Sequence, residues 1–204
     1  MTRRRSSYRS LRSLQRDNRV CRACIEAGYS LESLPVLEGH EGQRAYMLGQ
    51  APGALEGQER RPWRGRAGMT LRRWLGLDED AFYATFYCAS ITRCYPGKAP
   101  SGRGDRTPTP HEQELCAFWR EWEVRLLRPN LIVPVGSVAI RRFLRRPRLT
   151  GCIGERYDVG GVAVIPLPHP SGASGWLNDV ENRRLVARAA ALIGEELRTI
   201  AARP

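Results

Sequence analysis

Apolar residues in this chain fall into short runs, separated by stretches patterned for helices. Arg44 to Gly49 reads as a buried strand ending at a glycine, and Asn130 to Val135 as a second. Val162 to Leu167 is a third, placed to pair with 155–159 across Gly160-Gly161 as a hairpin. Phe82 to Ser90 is aromatic and strand-like. Helical patterns cover 67–76, 109–127, 137–144 and 178–202. The second is the best marked. Thr109 is a good N-cap, Pro110 suits the first helical position, and Glu112 places an acid near the positive end. Leu115, Phe118, Trp119, Trp122 and Leu126 then recur at helical spacing, as a core face would. Residues 51–66 and 95–108 carry Gly, Pro and Arg without apolar periodicity and read as loops.

Helices alternating with short apolar strands predict an α/β fold: a three-layer αβα sandwich around a mainly parallel sheet of about four strands. The 204 residues suit one domain, 1–204, with a basic, partly helical leader at 1–20. In such sheets the ligand site lies beyond the carboxyl ends of the strands. The loops after Gly49, Ser90 and Leu167 qualify.

Charge changes the picture. Thirty-three Lys+Arg face twenty-one Asp+Glu, a formal net charge of +12, and Lys98 is the single lysine. GC-rich codons favour Arg over Lys, but they do not by themselves produce a net charge. A guanidinium pairs two-pronged with phosphate and stacks on bases, so the excess points to nucleic acid. No apolar run approaches the ~20 residues that span a membrane. The N-terminus, MTRRRSSYRS, has no apolar stretch behind it. No membrane partner, a cytoplasmic location and a monomer are expected. In a reducing compartment the six cysteines are buried apolar residues or metal ligands rather than disulfides.

Gly49-Gln50-Ala51-Pro52-Gly53, followed by Arg61-Pro62-Trp63-Arg64-Gly65-Arg66-Ala67-Gly68, resembles the first motif of the iron–sulfur (family 4) uracil-DNA glycosylases. Ile91-Thr92-Arg93-Cys94 resembles the strand-end segment of that family, Asn130 to Gly136 its core strand, and Pro168-His169-Pro170-Ser171 its HPS motif. The matches run in the family's order from Cys21 to Gly172. The resemblance implies a repair enzyme acting on DNA that contains deaminated bases. It also implies a [4Fe-4S] cluster held by Cys21, Cys24, Cys94 and Cys116. A Cys₄ set equally suits tetrahedral zinc, which stays open as the alternative. Cys88 and Cys152 match no ligand position and read as a core residue and a loop residue.

The chemistry implied is removal of a flipped-out base. The pocket must stack the ring, read its edge and stabilise charge on the leaving base. His169 is the expected donor to that charge. Backbone N–H groups around Gln50 and Ala51 face the same oxygen, Trp63 stacks, and Ser90 contacts the base edge. Ser171, Gly172, Ala173 and Ser174 would approach the DNA backbone. Arg61, Arg64, Arg66, Arg103 and Arg106 would neutralise phosphates. Two departures matter. Gln50 stands where the family has Glu; it is no base, but its amide can orient a water. Ser90 stands where the family has Asn, which leaves uracil, hypoxanthine or another deaminated base as the target. These departures also fit an alternative, a catalytically weak or inactive DNA-binding member. No lysine sits in the motifs, so a monofunctional hydrolase is expected rather than a Schiff-base lyase. The loop at 95–108 has no histidine, unlike the cross-linking branch of the superfamily.

Overall fold

The computed structural model describes residues 4–102, 104–145, 148–171 and 175–202. Among these residues five strands form one sheet: β1 (Ala45–Gly49), β2 (Phe86–Ser90), β3 (Leu131–Pro134), β4 (Tyr157–Val159) and β5 (Val162–Val164), in the order β2-β1-β3-β5-β4. The first four in that order are parallel, and β4 closes the edge as the antiparallel arm of the hairpin. The sheet thus has one strand more than the expected four or so, the extra one being the 155–159 segment.

Among the described residues eight α-helices cover it: α1 (Leu11–Asn18), α2 (Ala23–Glu26), α3 (Ala54–Glu59), α4 (Arg66–Leu75), α5 (Glu79–Thr85), α6 (Pro110–Leu127), α7 (Ser137–Ile140) and α8 (Val180–Ala201). Strand residues alternate between two cores. Tyr46, Leu48, Tyr87 and Ile132 pack with α1 and α6 through Leu14, Trp119 and Leu127. Met47, Cys88 and Val133 pack with α4, α5 and α8 through Leu71, Phe82 and Ile193. Both faces are covered, so β1 and β2 are buried along their whole length. Within the basic leader, Tyr8, Leu11 and Leu14 belong to the first core.

Three expectations change. Phe82 to Thr85 is the end of α5, not strand; Asp78 caps it by accepting from the Ala81 N–H at 2.8 Å, and the strand begins only at Phe86. The expected loop 51–66 contains α3, whose Gly and Gln hide a helix that buries no residue fully. The helix from Ser137 stops at Ile140 rather than 144, where the chain turns. On α6 the expected N-cap is present, and with Glu112 it closes a capping box: Glu112 N–H donates to Thr109 Oγ1 (3.2 Å), and Thr109 N–H donates to the Glu112 carboxylate (2.8 Å).

Candidate active site

Parallel pairing brings the chain ends of β1 and β2 together. Gly49 sits opposite Ser90, and the pairing continues one step further through Ile91 N–H to Gly49 O and Thr92 N–H to Gln50 O. On the other side Val135 bridges Leu167, and Gly136 N–H donates to Leu167 O (2.9 Å). Gln50, Ser90 and His169 therefore emerge from the same edge of the sheet. The chain leaves β1 toward β2 on one side and β3 on the other, which is the switch point where open α/β sheets form ligand crevices.

A cleft of about 320 Å³ opens there. Gln50, Ala51, Trp63, Ser90 and His169 all line it, so the five expected pocket residues share one cavity. Two carboxylates that the sequence reading missed, Glu56 and Asp105, line it as well. Glu56 was hidden inside the apparent loop that folds as α3. Asp105 lies in the 95–108 segment, whose one available signal was its length, since long irregular loops in compact domains tend to carry function.

Trp63 is both wall and anchor. It lines the cleft, yet it is only 8% exposed and packs in the core with Leu71 and Phe82. Its backbone takes a left-handed turn (φ 61°), and Arg72 Nη1 holds its carbonyl at 2.9 Å. Two glycines make room for it. A Cβ on Gly49 would lie 3.0 Å from the indole, and one on Gly68 would lie 1.7 Å from the Trp63 carbonyl oxygen.

His169 is oriented by its neighbour. The Ser171 N–H donates to His169 Nδ1 at 3.3 Å, and Ser171 Oγ lies 2.8 Å from the same nitrogen. Nδ1 is thus an acceptor, and the proton of the neutral ring is assigned by this network to Nε2. His169 keeps a solvent-facing edge, but protein crowds the ring. Burial lowers its pKa from the usual 6.5, against the raising pull of Asp105 and Glu56. A neutral imidazole presenting Nε2–H is a preorganised donor.

The arginines divide. Arg64 was expected at phosphate, but it pairs with Glu59 (2.5 Å) and with Glu79. Both acids come from helices the sequence did not reveal. Arg61 pairs with Glu79 (3.2 Å) and lies 3.9 Å over the Tyr83 ring. Arg106 makes a two-pronged bond to Glu112 at 2.7 and 2.8 Å. Of this group, among the described residues, Arg66 alone is exposed, lines the cleft and has no ion pair. Ser171 lines the cleft; Arg103, Gly172, Ala173 and Ser174 lie outside the described residues.

On the α6 side of the sheet, Cys21, Cys24, Cys94 and Cys116 line one cavity. Burial and the neighbouring Cys116 and Cys21 push the Cys24 thiol up to about 12. Burial and the other three cysteines raise Cys94 too. Trp119 Nε1–H donates to Cys21 Sγ (3.2 Å). Thr92 and Arg93 line the same cavity, and Thr92 Oγ1, Arg93 Nε and Arg93 Nη1 are buried donors without protein partners. Among the described residues no three His, Cys, Asp or Glu side chains converge tightly enough for a single metal ion. Cys88 and Cys152 lie in the other core. No helix among the described residues is long and apolar enough to cross a membrane.

Known proteins share this arrangement of sequence. The chain is 31% identical over 154 residues to the type-4 uracil-DNA glycosylase of Thermotoga maritima, covering 74% of this chain and 76% of that protein. It is 29% identical over 174 residues to the type-4 enzyme of Archaeoglobus fulgidus, covering 79% and 82%. For that of Sulfurisphaera tokodaii the identity is 24%, over 80% and 76%. The model of the uracil DNA glycosylase superfamily matches residues 38–191, a span that holds the whole cleft. With the strand-end cleft and this match in agreement, the chain belongs to the uracil-DNA glycosylase superfamily.

Proposed function

We propose that this chain hydrolyses the N-glycosidic bond of uracil in DNA, as a monofunctional repair glycosylase whose leaving base is stabilised by His169. The observation that carries the reading is the single cleft shared by Gln50, Ala51, Trp63, Ser90 and His169. A base buried in duplex DNA cannot reach a cleft at the sheet edge, so it must be flipped out. The face of Trp63 offers a stacking wall. The Ser90 hydroxyl contacts the base edge, with one donor where an amide would give a paired donor and acceptor. As the bond to C1′ breaks, negative charge grows on the base carbonyl oxygen. The Nε2–H of His169 and backbone N–H groups near Gln50 and Ala51 meet it in a partly desolvated site. Arg66 and Ser171 contact the DNA backbone beside the cleft, under the long-range pull of the +12 charge.

The four cysteines are the ligands of a [4Fe-4S] cluster in this reading. Soft thiolates suit iron, and each iron of a cubane needs only one of them. A lone zinc, which would need all four sulfurs about 2.3 Å from one centre, is the alternative occupant of the same four cysteines. The orphaned Thr92 and Arg93 donors fit an anionic cluster, whose sulfurs accept hydrogen bonds. When bound, the cluster would tie α2, the segment after β2 and α6 together through these cysteines.

The test is single-turnover cleavage of oligonucleotides carrying uracil, hypoxanthine or xanthine, with abasic sites revealed by alkali. Uracil is cut, and His169→Ala lowers the rate by roughly 10²–10³-fold. No scission on any substrate would overturn the reading.

A further inference from the structure

The cleft has a gap in its chemistry. Hydrolysis needs a group to take the proton of the attacking water. Gln50 cannot, because an amide is no base. Of the two carboxylates in the cleft, Glu56 is held by the backbone and Asp105 by side chains. Glu56 Oε1 accepts the Gly65 N–H at 2.8 Å, which ties α3 to the loop before α4.

Asp105 is placed differently. Its Oδ1 accepts from Tyr95 Oη (3.1 Å) and from Lys98 Nζ (3.0 Å), which fixes the carboxylate. Its Oδ2 carries no such partner among the described residues and lies 3.4 Å from where a Cβ on Gly53 would sit, a point that Glu56 Oε2 approaches to 2.7 Å, in the wall of the cleft. The backbone around it is fixed as well. Lys98 and Asp105 form an antiparallel bridge, flanked by Ala99 N–H to Gly104 O and Arg106 N–H to Gly97 O. Arg106 then locks the segment onto the capping box of α6 through Glu112. The apparent loop is a small hairpin that delivers one carboxylate to the cleft.

That carboxylate works against the binding of a polyanion. A negative charge beside the DNA path repels phosphate, so its presence in the cleft points to chemistry rather than affinity. It also acts on His169, where it opposes the effect of burial on the ring.

We propose that Asp105 is the general base of this enzyme, taking over at the hairpin the task that Gln50 cannot perform. Gln50 orients the water. The water oxygen bonds to C1′ while the C1′–N bond breaks, and its electron pair leaves with the base. The water proton passes to Asp105 Oδ2 and from there to solvent. His169 Nε2–H stabilises the departing base until it takes up a proton from solvent.

The assignment rests on the glycosylase reading, and the experiment separates the two. Single-turnover excision of uracil and equilibrium binding of the same oligonucleotide are measured for the wild type, Asp105→Asn and Asp105→Gly. Asp105→Asn keeps an oxygen for Tyr95 and Lys98, so folding is retained. The rate falls by roughly 10²–10⁴-fold, the range of general-base catalysis, while DNA binds as tightly or more tightly. Formate or azide restores part of the rate to Asp105→Gly by entering the vacated space. A wild type that cuts uracil beside an Asp105→Asn variant that cuts equally fast overturns the assignment and leaves the glycosylase reading intact. A rate loss matched by an equal loss of DNA affinity also overturns it, since the side chain would then serve binding. A wild type that cuts nothing overturns both.

Discussion

Ser171 Oγ lies 2.8 Å from His169 Nδ1, and the Ser171 backbone N–H points at the same nitrogen from 3.3 Å. Two donors on one side of the imidazole leave Nε2 as the protonated nitrogen. Ring nitrogen NMR should therefore report the Nε2–H tautomer, with a titration midpoint below 6.5 because burial disfavours the imidazolium. Since the unfolded ring binds its proton more readily, this site costs stability as pH falls through 6.5 and adds nothing above it. Ser171→Ala keeps the backbone donor and loses the hydroxyl. Losing one neutral hydrogen bond of about 1 kcal/mol should slow excision roughly fivefold, a far smaller effect than that of His169→Ala.

Gly68 has no room for a side chain. Its Cβ would lie 1.7 Å from the Trp63 carbonyl oxygen, a backbone atom that cannot swing aside. Gly68→Ala should cost at least the 1–3 kcal/mol or so of an overpacked core and displace Trp63 from the cleft. Gly76 is the control. It caps α4 at φ 65° with open space around it, so Gly76→Ala meets only left-handed strain of about 1–2 kcal/mol. Urea denaturation of both variants, with uracil excision measured in parallel, checks the pair. Gly68→Ala loses activity and stability together; Gly76→Ala loses stability alone.

These relationships mark where the sequence was legible. The α6 start could be read residue by residue, because Thr109, Pro110 and Glu112 are local signals acting on adjacent backbone groups. The strand ends carrying Gln50, Ser90 and His169 were legible because β1, β2 and β5 are short apolar runs that the sheet buries. What escaped depended on tertiary partners. α5 reads as strand because Phe82, Tyr83 and Phe86 are aromatic, yet Asp78 caps a helix whose apolar side the α4/α8 core accepts. Arg64 looked free for phosphate until α3 and α5 brought Glu59 and Glu79 to it. Asp105 could not be placed because its position depends on Arg106 reaching Glu112 across a hairpin that has no apolar pattern.

Arg93 and Glu123 form an ion pair almost entirely out of water, at 1% and 0% side-chain exposure, with Tyr46 Oη donating to the same carboxylate. Removing one partner strands a buried charge. Glu123→Leu should cost roughly 3–5 kcal/mol, whereas Arg93→Met with Glu123→Leu together should cost clearly less, because the second change removes the uncompensated guanidinium. Chemical denaturation of the two singles and the double gives the coupling. Equal costs for Glu123→Leu and the double would show that the pair contributes nothing beyond packing.

The cysteines allow a test that needs no substrate. Cys116 sits on the buried stripe of α6 that also carries Trp119, Arg120 and Glu123, so its sulfur faces the cavity shared with Cys21, Cys24 and Cys94. Burial raises the Cys116 thiol, and Arg93 beside it pulls the other way. Four thiolates around one cavity, Cys116 buried and the other three half-buried, would repel one another without a cation, so a bound metal cluster would make them compatible. Cys116→Ser should therefore strip iron and the brown absorbance near ~400 nm expected of thiolate-bound clusters. Loss of the cross-link should also lower the thermal midpoint, because α2 has no buried residue of its own to hold it in place. Cys88 lies on the opposite face of the sheet, against the core of α4, α5 and α8. Cys88→Ala should keep full iron content and lose only the packing of a small side chain. Iron assays and visible spectra of the two variants decide the matter: equal iron in both would remove Cys116 from the ligand set, and loss from both would point to general unfolding rather than ligation.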